Sequence, residues 1–369
     1  MKILIGADLV PTGSNQKEFA EAAVCRLLSK PLLELLKEAD YRIFNLEVPL
    51  SDKAVPIEKC GPALIAPTAT ARGIKALGTN CVTIANNHIM DQGTSGFTST
   101  LQTLTQYEIS TVGGGVNLDE ARKPLVREID GKRIGLYACA EHEFSIAGVC
   151  TPGANPFDPL ETLDHVAELK TQCDYVIVLY HGGKEHYRYP SPNLRKTCRK
   201  MVEKGADLVV CQHSHCIGCE EKYRGGTIVY GQGNFLFDHA ENEFWKSSLL
   251  IQIGDDFEIT YIPLQKHGKG VELADDPEIL QGFHGRGKQI LQDGFVETQY
   301  RQYAESMLNG YLLSLSGRRS LLFRGINKLS GYRFATWWVN RRYTKDSKLI
   351  VECEAHRELL LEGLDSLTG

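Results

Sequence analysis

Short continuous runs of apolar residues, each ending in polar side chains, recur along residues 3–215. The runs begin at Ile3, Tyr41, Cys81, Tyr175 and Leu208. Apolar runs of this length without alternation are typical of strands that are buried on both faces of a mostly parallel sheet. The carboxyl ends of parallel strands meet at one edge, where such folds bind ligands. The pattern therefore predicts a shared rim for the polar residues that follow the runs.

Segments with helical spacing lie between these strands. Ser29 is a good helix cap, Pro31 stands close to the start, and leucines follow at helical intervals up to Ala39. Similar spacing predicts helices over about residues 68–77, 93–106, 158–172 and 191–204. Because helices and strands alternate, we expect an α/β domain over roughly the first 240 residues.

The later part of this region departs from simple alternation. Residues 125–129 and 133–138 flank a turn that contains Gly131, which predicts an antiparallel hairpin. Further strands are predicted over residues 221–230 and 249–261. We therefore expect a mixed α/β arrangement with two sheets packed face to face.

Seven polar residues follow the predicted strands and would share the rim. They are Asp8, Glu47, Asn87, His88, His181, His213 and His215. Two histidines at i and i+2 just past a strand end can turn towards one small volume that could hold a metal ion. Taken alone, the pair His213 and His215 is equally typical of a surface loop, but the other polar residues favour a metal site.

The composition is that of an ordinary globular protein. The chain has 369 residues, 42% hydrophobic content and a net charge of -5, so it can bury a large core. No run approaches the ~20 apolar residues of a membrane-spanning helix. The apolar run at the start of the sequence is shorter than the hydrophobic region of a signal peptide. Most of the eleven cysteines lie in apolar or helical runs, which agrees with a reducing compartment. We therefore expect a cytoplasmic protein.

The last third of the chain has a different character. Between Arg318 and Lys348 there are nine Lys or Arg residues against the single acid Asp346, with aromatic residues interleaved. Residues 318–348 could contact a membrane surface, an anionic polymer or nucleic acid, although no specific nucleic-acid motif is present. The favoured alternative is a helical appendage whose aromatic side chains pack on the main domain while its charges face water.

Five segments, taken in order, resemble motifs of a known family. They are residues 45–50, 85–93, 181–187, 205–215 and 230–235. Together they resemble the bacterial CapA family of capsule and poly-gamma-glutamate synthesis proteins, which looks like a branch of the calcineurin-like metallophosphoesterases. The resemblance implies a four-layer αββα sandwich of two mixed sheets with a dinuclear metal site at the sheet edge. We expect this domain over residues 1–268 and a mainly helical region over 269–369.

The resemblance also implies roles for individual residues at two divalent ions, which would be Mn, Fe or Zn. Asp8 and His215 would bind the first ion, Glu47 would bridge both, and Asn87, His181 and His213 would bind the second. His88 would act as an acid or charge stabiliser, oriented by Asp91. Asn45 is expected to contact the substrate. Glu185, His186 and Tyr187 follow His181 in a predicted loop over the metals, and we expect them to contact the substrate as well, although a solvated loop explains these three residues nearly as well.

Three positions depart from the patterns of the family or its superfamily. Val10 stands where the superfamily has a histidine, and Glu47 replaces a bridging aspartate. These changes imply a first metal with fewer protein ligands. Gly182 replaces a residue that is usually aromatic in the family, and we expect this loss of bulk to widen the pocket.

Two functions of different classes remain open. The first is hydrolysis of a phosphoester by a metal-bound hydroxide, since two ions ~4 Å apart can lower the pKa of a shared water and neutralise the transferring group. The second is a non-hydrolytic accessory role in biosynthesis of an anionic polymer, such as poly-gamma-glutamate or capsular polysaccharide. His88 favours catalysis, whereas the name of the family favours polymer synthesis.

Overall fold

The computed structural model describes residues 1–238, 242–316, 329 and 346–368. It has two mixed β-sheets with helices against them, as the sequence predicts. The strands, numbered in chain order, are β1 Ile3–Val10, β2 Tyr41–Leu46, β3 Cys81–Thr83, β4 Ser110–Val112, β5 Gly114–Gly115, β6 Leu125–Ile129, β7 Lys132–Ala140, β8 Gly153–Ala154, β9 Tyr175–His181, β10 Leu208–Gln212, β11 Glu220–Tyr223, β12 Gly226–Tyr230, β13 Asn234–Phe237, β14 Ser247–Ile253, β15 Ile259–His267 and β16 Gly270–Leu273.

The larger sheet has eight strands in the order β16-β15-β14-β1-β2-β3-β4, with β13 also paired to β1. Strands β1, β2, β3 and β4 run parallel, while β14, β15 and β16 add an antiparallel extension. The smaller sheet has six strands in the order β11-β12-β10-β9-β7-β6. Its β6-β7 pair is the antiparallel hairpin predicted around Gly131.

Alternate residues of β9 face two different cores. Ile177 and Leu179 pack in the core that the two sheets share, whereas Val176 and Val178 pack in a second core with Val166. Both faces of the smaller sheet are therefore covered, which is why its strands are continuous apolar runs. The fold is a four-layer sandwich, which confirms the predicted fold class.

The helices lie where the periodicity predicts them, with small differences at their ends. They are α1 Gln16–Ala20, α2 Lys30–Lys37, α3 Ala71–Ala76, α4 Gly93–Gln106, α5 Leu118–Ala121, α6 Thr162–Gln172, α7 Pro192–Glu203, α8 Pro277–Gln289, α9 Phe295–Ser316, α10 over 346–352 and α11 Glu354–Thr368. Short 3-10 turns lie at Thr68–Thr70 and Val24–Arg26. The helix predicted over 158–172 begins only at Thr162, because Asp158 accepts hydrogen bonds in the preceding turn.

The region after residue 268 is mainly helical but begins with a strand. β16 pairs with β15 at the edge of the larger sheet, and α8, α9, α10 and α11 follow. Most of the basic, aromatic segment 318–348 lies outside the described residues. In the described part of the chain, no helix combines the length and apolarity needed to cross a membrane.

Candidate metal centre

The strand ends bring the predicted polar residues to one buried place. Asp8 lies in β1, Glu47 follows β2, His181 ends β9, and His213 follows β10. The side chains of these four residues are nearly or completely inaccessible to solvent. The parallel order of the strands therefore produces the rim that the apolar runs predict.

A first cluster consists of Asp8, Glu47 and His215. One donor atom from each lies within 4.8 Å of the others. The Nδ1 atom of His215 is 3.3 Å from Asp8 Oδ2 and 2.8 Å from Asn234 Oδ1. Val10 is buried at the end of β1 and offers no donor, so three protein groups make up this cluster.

The register of β1 explains how Asp8 reaches this cluster. Asp8 pairs with Asn45 on one neighbouring strand and with Asn234 on the other, and the register shifts beside it on both sides. Such irregularities redirect side chains at strand ends. The two flanking asparagines then contact groups of the cluster.

A second cluster consists of Glu47, His181 and His213, again with donor atoms within 4.8 Å of one another. The Nε2 atom of His181 is 3.3 Å from Glu47 Oε1 and 3.0 Å from Asn87 Oδ1. Glu47 therefore belongs to both clusters. Its expected role as a bridge between two ions remains a prediction.

Several polar atoms of the two clusters are buried without a hydrogen-bond partner among the described residues. They are Glu47 Oε1 and Oε2, Asp8 Oδ2 and His213 Nδ1. Buried polar atoms are nearly always paired, and an unpaired carboxylate in an apolar site is costly. Cations between the clusters would satisfy these atoms, and mixed oxygen and nitrogen donors suit Mn, Fe or Zn. The residues present fit two divalent ions.

Burial shifts the pKa values of these groups in different directions. Burial, assisted by the charge of Asp8, raises the pKa of Glu47 to about 7. Burial also lowers the pKa of His181 to about 4 and lowers that of His213, which favours the neutral form of both imidazoles. For His215, the carboxylates of Glu47 and Asp8 outweigh burial and raise the pKa to about 10.

The backbone around the histidine pair is strained. His213 and His215 have φ values of 86° and 51°, in the left-handed region that residues with a Cβ seldom adopt. Each costs about 1–3 kcal/mol, which the surrounding contacts must offset. The His213 ring belongs to the second cluster and the His215 ring to the first. Strain of this kind at buried polar residues is typical of functional sites.

Asn45 lies beneath the clusters, and the expectation that it contacts substrate is wrong. It is completely buried, and its Nδ2 atom lies 2.8 Å from Asp8 Oδ1 and 3.2 Å from His181 Nδ1. Its Oδ1 atom accepts a hydrogen bond from Asn86 Nδ2 at 3.0 Å. With no exposed surface, Asn45 can only orient the side chains of Asp8 and His181.

His88 is held by two buried partners. Its Nδ1 atom is 2.6 Å from Asp91 Oδ2, and Lys59 Nζ lies 3.2 Å from the same nitrogen. Lys59 also donates to Asp91 Oδ1 at 2.5 Å, and Asp91 is completely buried. Asp91 therefore acts through His88 and has no surface for substrate. The sequence did not predict a role for Lys59, because it lies in a loop and no local pattern shows that its side chain is buried.

The segment after His181 contains two expected substrate residues that have other partners. Trp245 Nε1 donates to His186 Nε2 at 2.9 Å, and the His186 ring stacks on Phe244. Tyr187 stacks on Tyr303 of α9, with ring centroids 4.3 Å apart. His186 and Tyr187 thus pack against neighbouring elements while staying partly exposed, and their expected contact with substrate remains a prediction.

Glu185 does lie beside the clusters. Although burial opposes its ionisation, surrounding positive charges, among them those of His215 and Lys184, lower the pKa of Glu185 to about 2. It is therefore a carboxylate near the metal ligands. Its expected contact with substrate remains a prediction.

The pocket is not widened at Gly182. A Cβ atom at this position would lie 2.6 Å from the Glu141 carboxyl carbon and 2.7 Å from the Tyr180 ring. The expected space is therefore filled by these two side chains. Burial, with the nearby charge of Glu354, raises the pKa of Glu141 to about 8.

Glu143 and Asn234 also belong to the site and were not predicted. Asn87 Nδ2 donates to Glu143 Oε2 at 2.8 Å, and Glu143 Oε1 is 3.8 Å from His213 Nε2. Asn234 contacts His215 from β13. Its place in the motif at residues 230–235 was a usable signal, whereas Glu143 stands in a loop with no motif.

The fold and these clusters define a class: four-layer α/β proteins in which buried carboxylates and imidazoles gather where parallel strands end. Residues 5–239 match the family model described as bacterial capsule synthesis protein PGA_cap. The chain belongs to this family, which confirms the resemblance seen in the motifs.

Named relatives are similar over part of their length. The capsule biosynthesis protein CapA of Bacillus anthracis is 29% identical over 251 residues, covering 65% of this chain and 60% of the relative. The PGA biosynthesis protein CapA of Bacillus subtilis is 31% identical over 180 residues, covering 48% of this chain and 47% of the relative. A probable polyglutamine synthesis accessory protein of Mycobacterium tuberculosis is 29% identical over 179 residues, covering 45% of this chain and 47% of that protein. The chain thus spans about half to three fifths of these relatives.

Solved structures show more distant similarity. A phosphatase from Mycoplasma pneumoniae is 16% identical with a TM-score of 0.43, covering 80% of this chain and 98% of that protein. A 5'-nucleotidase precursor from Thermus thermophilus is 15% identical with a TM-score of 0.41, covering 84% of this chain and 59% of that protein.

Proposed function

We propose that this chain is a metal-dependent phosphoester hydrolase with a dinuclear centre. The observation that carries the proposal is Glu47, which belongs to both clusters while neither of its buried carboxylate oxygens has a hydrogen-bond partner among the described residues. A carboxylate in this position suits a bridge between two cations. A single ion would leave part of the donor set unused.

The protein groups divide between two ions. Asp8 and His215 would hold one, and His181, His213 and Asn87 would hold the other. When bound, two divalent cations supply Lewis acidity towards phosphoryl oxygens and lower the pKa of a coordinated water. Asn45 orients Asp8 and His181 from below, in the way that groups behind metal ligands commonly fix their orientation.

His88 is the chain's proton donor in this proposal. Its Nδ1 atom is occupied by Asp91 and Lys59, and its Nε2 atom makes no hydrogen bond to any of the described residues. Nε2 is therefore the nitrogen available to a phosphate oxygen or a leaving alkoxide. Positioned proton transfer of this kind contributes about 10²–10⁴ in rate. Asp91 and Lys59 are positioning residues.

A second candidate function rests on the relatives. Two are named as proteins of capsule or PGA biosynthesis, and another as a probable polyglutamine synthesis accessory protein. In this alternative the chain is a non-hydrolytic accessory factor, and its cations bind carboxylates of an anionic polymer. Asp8, Glu47 and the histidines would be needed for both functions, whereas His88 would be needed only for hydrolysis.

Hydrolysis of p-nitrophenyl phosphomonoester and phosphodiester reporters with added Mn²⁺ tests the proposal. We expect turnover by the wild type and a loss of at least about 100-fold in His88→Ala without loss of bound metal. His213→Ala should lose both metal and activity. His267→Ala is the matched control, because this histidine is 75% exposed and lies on β15, which is separated from β1 by β14. A wild type that binds two ions and cleaves neither reporter would favour the accessory function.

A further inference from the structure

Two side chains from the C-terminal helices reach the rim of the candidate metal centre. Cys353, between α10 and α11, and His356, in α11, approach Glu143. One donor atom from each of the three residues lies within 4.8 Å of the others. Cys353 is almost completely buried. Both C-terminal residues lie beyond the part of the chain that matches the family model, which ends at residue 239.

Polar contacts hold this part of the chain in place on either side of the cluster. Glu354 accepts hydrogen bonds from both the backbone nitrogen and the imidazole of His142, at 3.1 and 2.5 Å. Glu358 accepts from Ser191 Oγ at 2.7 Å and from the backbone nitrogen of Asn193 at 2.9 Å. The position of Cys353 and His356 is thus defined by contacts that do not involve the cluster itself.

A fourth donor faces the same thiol. Cys353 Sγ lies 3.9 Å from Glu141 Oε2 and 4.0 Å from Glu143 Oε1. The other oxygen of Glu141 accepts a hydrogen bond from the backbone nitrogen of Gly183 at 3.1 Å, which directs Oε2 towards the thiol. Ligand lengths for tetrahedral Zn²⁺ imply a sulfur to oxygen separation of roughly 3.5 Å. A shift of about half an ångström would bring these atoms to bonding positions.

We propose that Cys353, His356, Glu143 and Glu141 form a Zn²⁺ site that fastens the C-terminal helices to the rim. One sulfur, one imidazole nitrogen and two carboxylates make a donor set that suits Zn²⁺ better than Mn²⁺. Four protein ligands leave no open position, which is the arrangement of a structural zinc. The site does not depend on the proposed hydrolysis.

The site also adjoins the second cluster. Glu143 accepts a hydrogen bond from Asn87 through Oε2, while its Oε1 atom is the one nearer to Cys353. Zinc would therefore fix the carboxylate that orients Asn87. Lys348 and Glu352 of α10 line a cavity together with Glu143.

Cobalt substitution of the full chain tests the site, because only a thiolate ligand produces the sulfur-to-Co²⁺ charge-transfer absorption. Chelator-treated wild type titrated with Co²⁺ should show this band, and Cys353→Ser should lose it together with one equivalent of bound metal. His356→Ala should weaken Co²⁺ binding at least tenfold. Persistence of the band in Cys353→Ser, or its absence from the wild type, would overturn the proposal.

Matched controls separate this site from the others. Cys219→Ser changes another buried cysteine and should keep the band, as should Arg357→Ala, which changes an exposed neighbour of His356. The double variant His213→Ala/His215→Ala removes ligands of the proposed dinuclear centre and should also keep it. If Cys353→Ser does not fold, His356→Ala decides: it should keep a thiolate band but need at least tenfold more Co²⁺ to develop it, and an unchanged Co²⁺ affinity contradicts the proposal.

Discussion

The Asn45 amide donates a hydrogen bond to Oδ1 of Asp8 at 2.8 Å, while Oδ2 of the same carboxylate has no hydrogen-bond partner among the described residues. The two oxygens of the Asp8 carboxylate therefore have different surroundings, because only Oδ1 accepts a hydrogen bond from Asn45. One oxygen is fixed by the scaffold, and the other is available to a cation. The same amide nitrogen lies 3.2 Å from His181 Nδ1, so one residue orients a ligand of each cluster.

Replacement of Asn45 by alanine should therefore weaken metal binding without removing a ligand. Loss of a group that orients ligands typically costs 10–100-fold in affinity, and we expect a decrease in this range for Mn²⁺ measured by calorimetry. Asn155→Ala is the control, since Asn155 is also buried but donates to the Ala138 carbonyl instead. Equal Mn²⁺ affinity in wild type and Asn45→Ala would show that Asn45 does not orient the ligands.

Glu47 should stabilise the protein only when cations are bound. Its buried carboxylate has no hydrogen-bond partner in the described chain and lies beside the charge of Asp8, so its ionised form is unfavourable without a cation. In chelator, Glu47→Gln should raise the free energy of unfolding by about 1 kcal/mol.

Added Mn²⁺ should reverse this order, because the wild type gains about 2.7 kcal/mol at a hundredfold excess of metal over its Kd. Urea unfolding at fixed pH, with and without Mn²⁺, measures both effects. Glu278→Gln, a change at an exposed position, should respond to Mn²⁺ as the wild type does. If Glu47→Gln still binds two ions with unchanged affinity, Glu47 is not the bridge.

The contact between the two sheets also has a measurable consequence. Leu179 is 1% exposed and packs in the core that the sheets share, so Leu179→Ala should lower the free energy of unfolding by about 2–5 kcal/mol. Leu160→Ala, at a position that is 80% exposed, should change it by less than about 0.5 kcal/mol. Chemical denaturation compares the two. Similar losses in both variants would be inconsistent with Leu179 as a core residue.

The fold was predictable because its central strands are buried on both faces. In β9, the consecutive residues Ile177 and Val178 pack in different cores. Both positions must therefore be apolar, and the apolar run is continuous. Short turns also carried information, as in the hairpin at Gly131. Helix ends were less predictable, since Thr162 begins α6 only after a turn held by the Asp158 side chain.

The six expected metal ligands converge because strand ends are determined by topology, which the apolar pattern reveals. Residues that reach the site from loops carry no such signal. Lys59 and Glu143 enter from segments without periodicity, and their role depends on tertiary contacts alone. The left-handed backbone at His213 was equally invisible, because glycine normally marks that conformation.

Two of the expected substrate residues have stacking and hydrogen-bond partners that the sequence did not predict. Proximity in sequence to His181 suggested that His186 and Tyr187 face the centre. The indole of Trp245 donates a hydrogen bond to the imidazole of His186, and the ring of Tyr303 in α9 stacks on Tyr187. No sequence motif around Trp245 or Tyr303 predicts these contacts.

Lys59 and Asp91 form a buried ion pair whose disruption should be costly. Their side chains are 2% and 0% exposed, with Nζ and Oδ1 2.5 Å apart. Lys59→Met should lower the free energy of unfolding by about 3 kcal/mol, because it leaves the Asp91 carboxylate buried with fewer donors. Lys59→Met/Asp91→Asn should recover part of this loss, since no unpaired charge remains. Urea unfolding of the double-mutant cycle measures the coupling, and additive losses would mean that the pair contributes no mutual stabilisation.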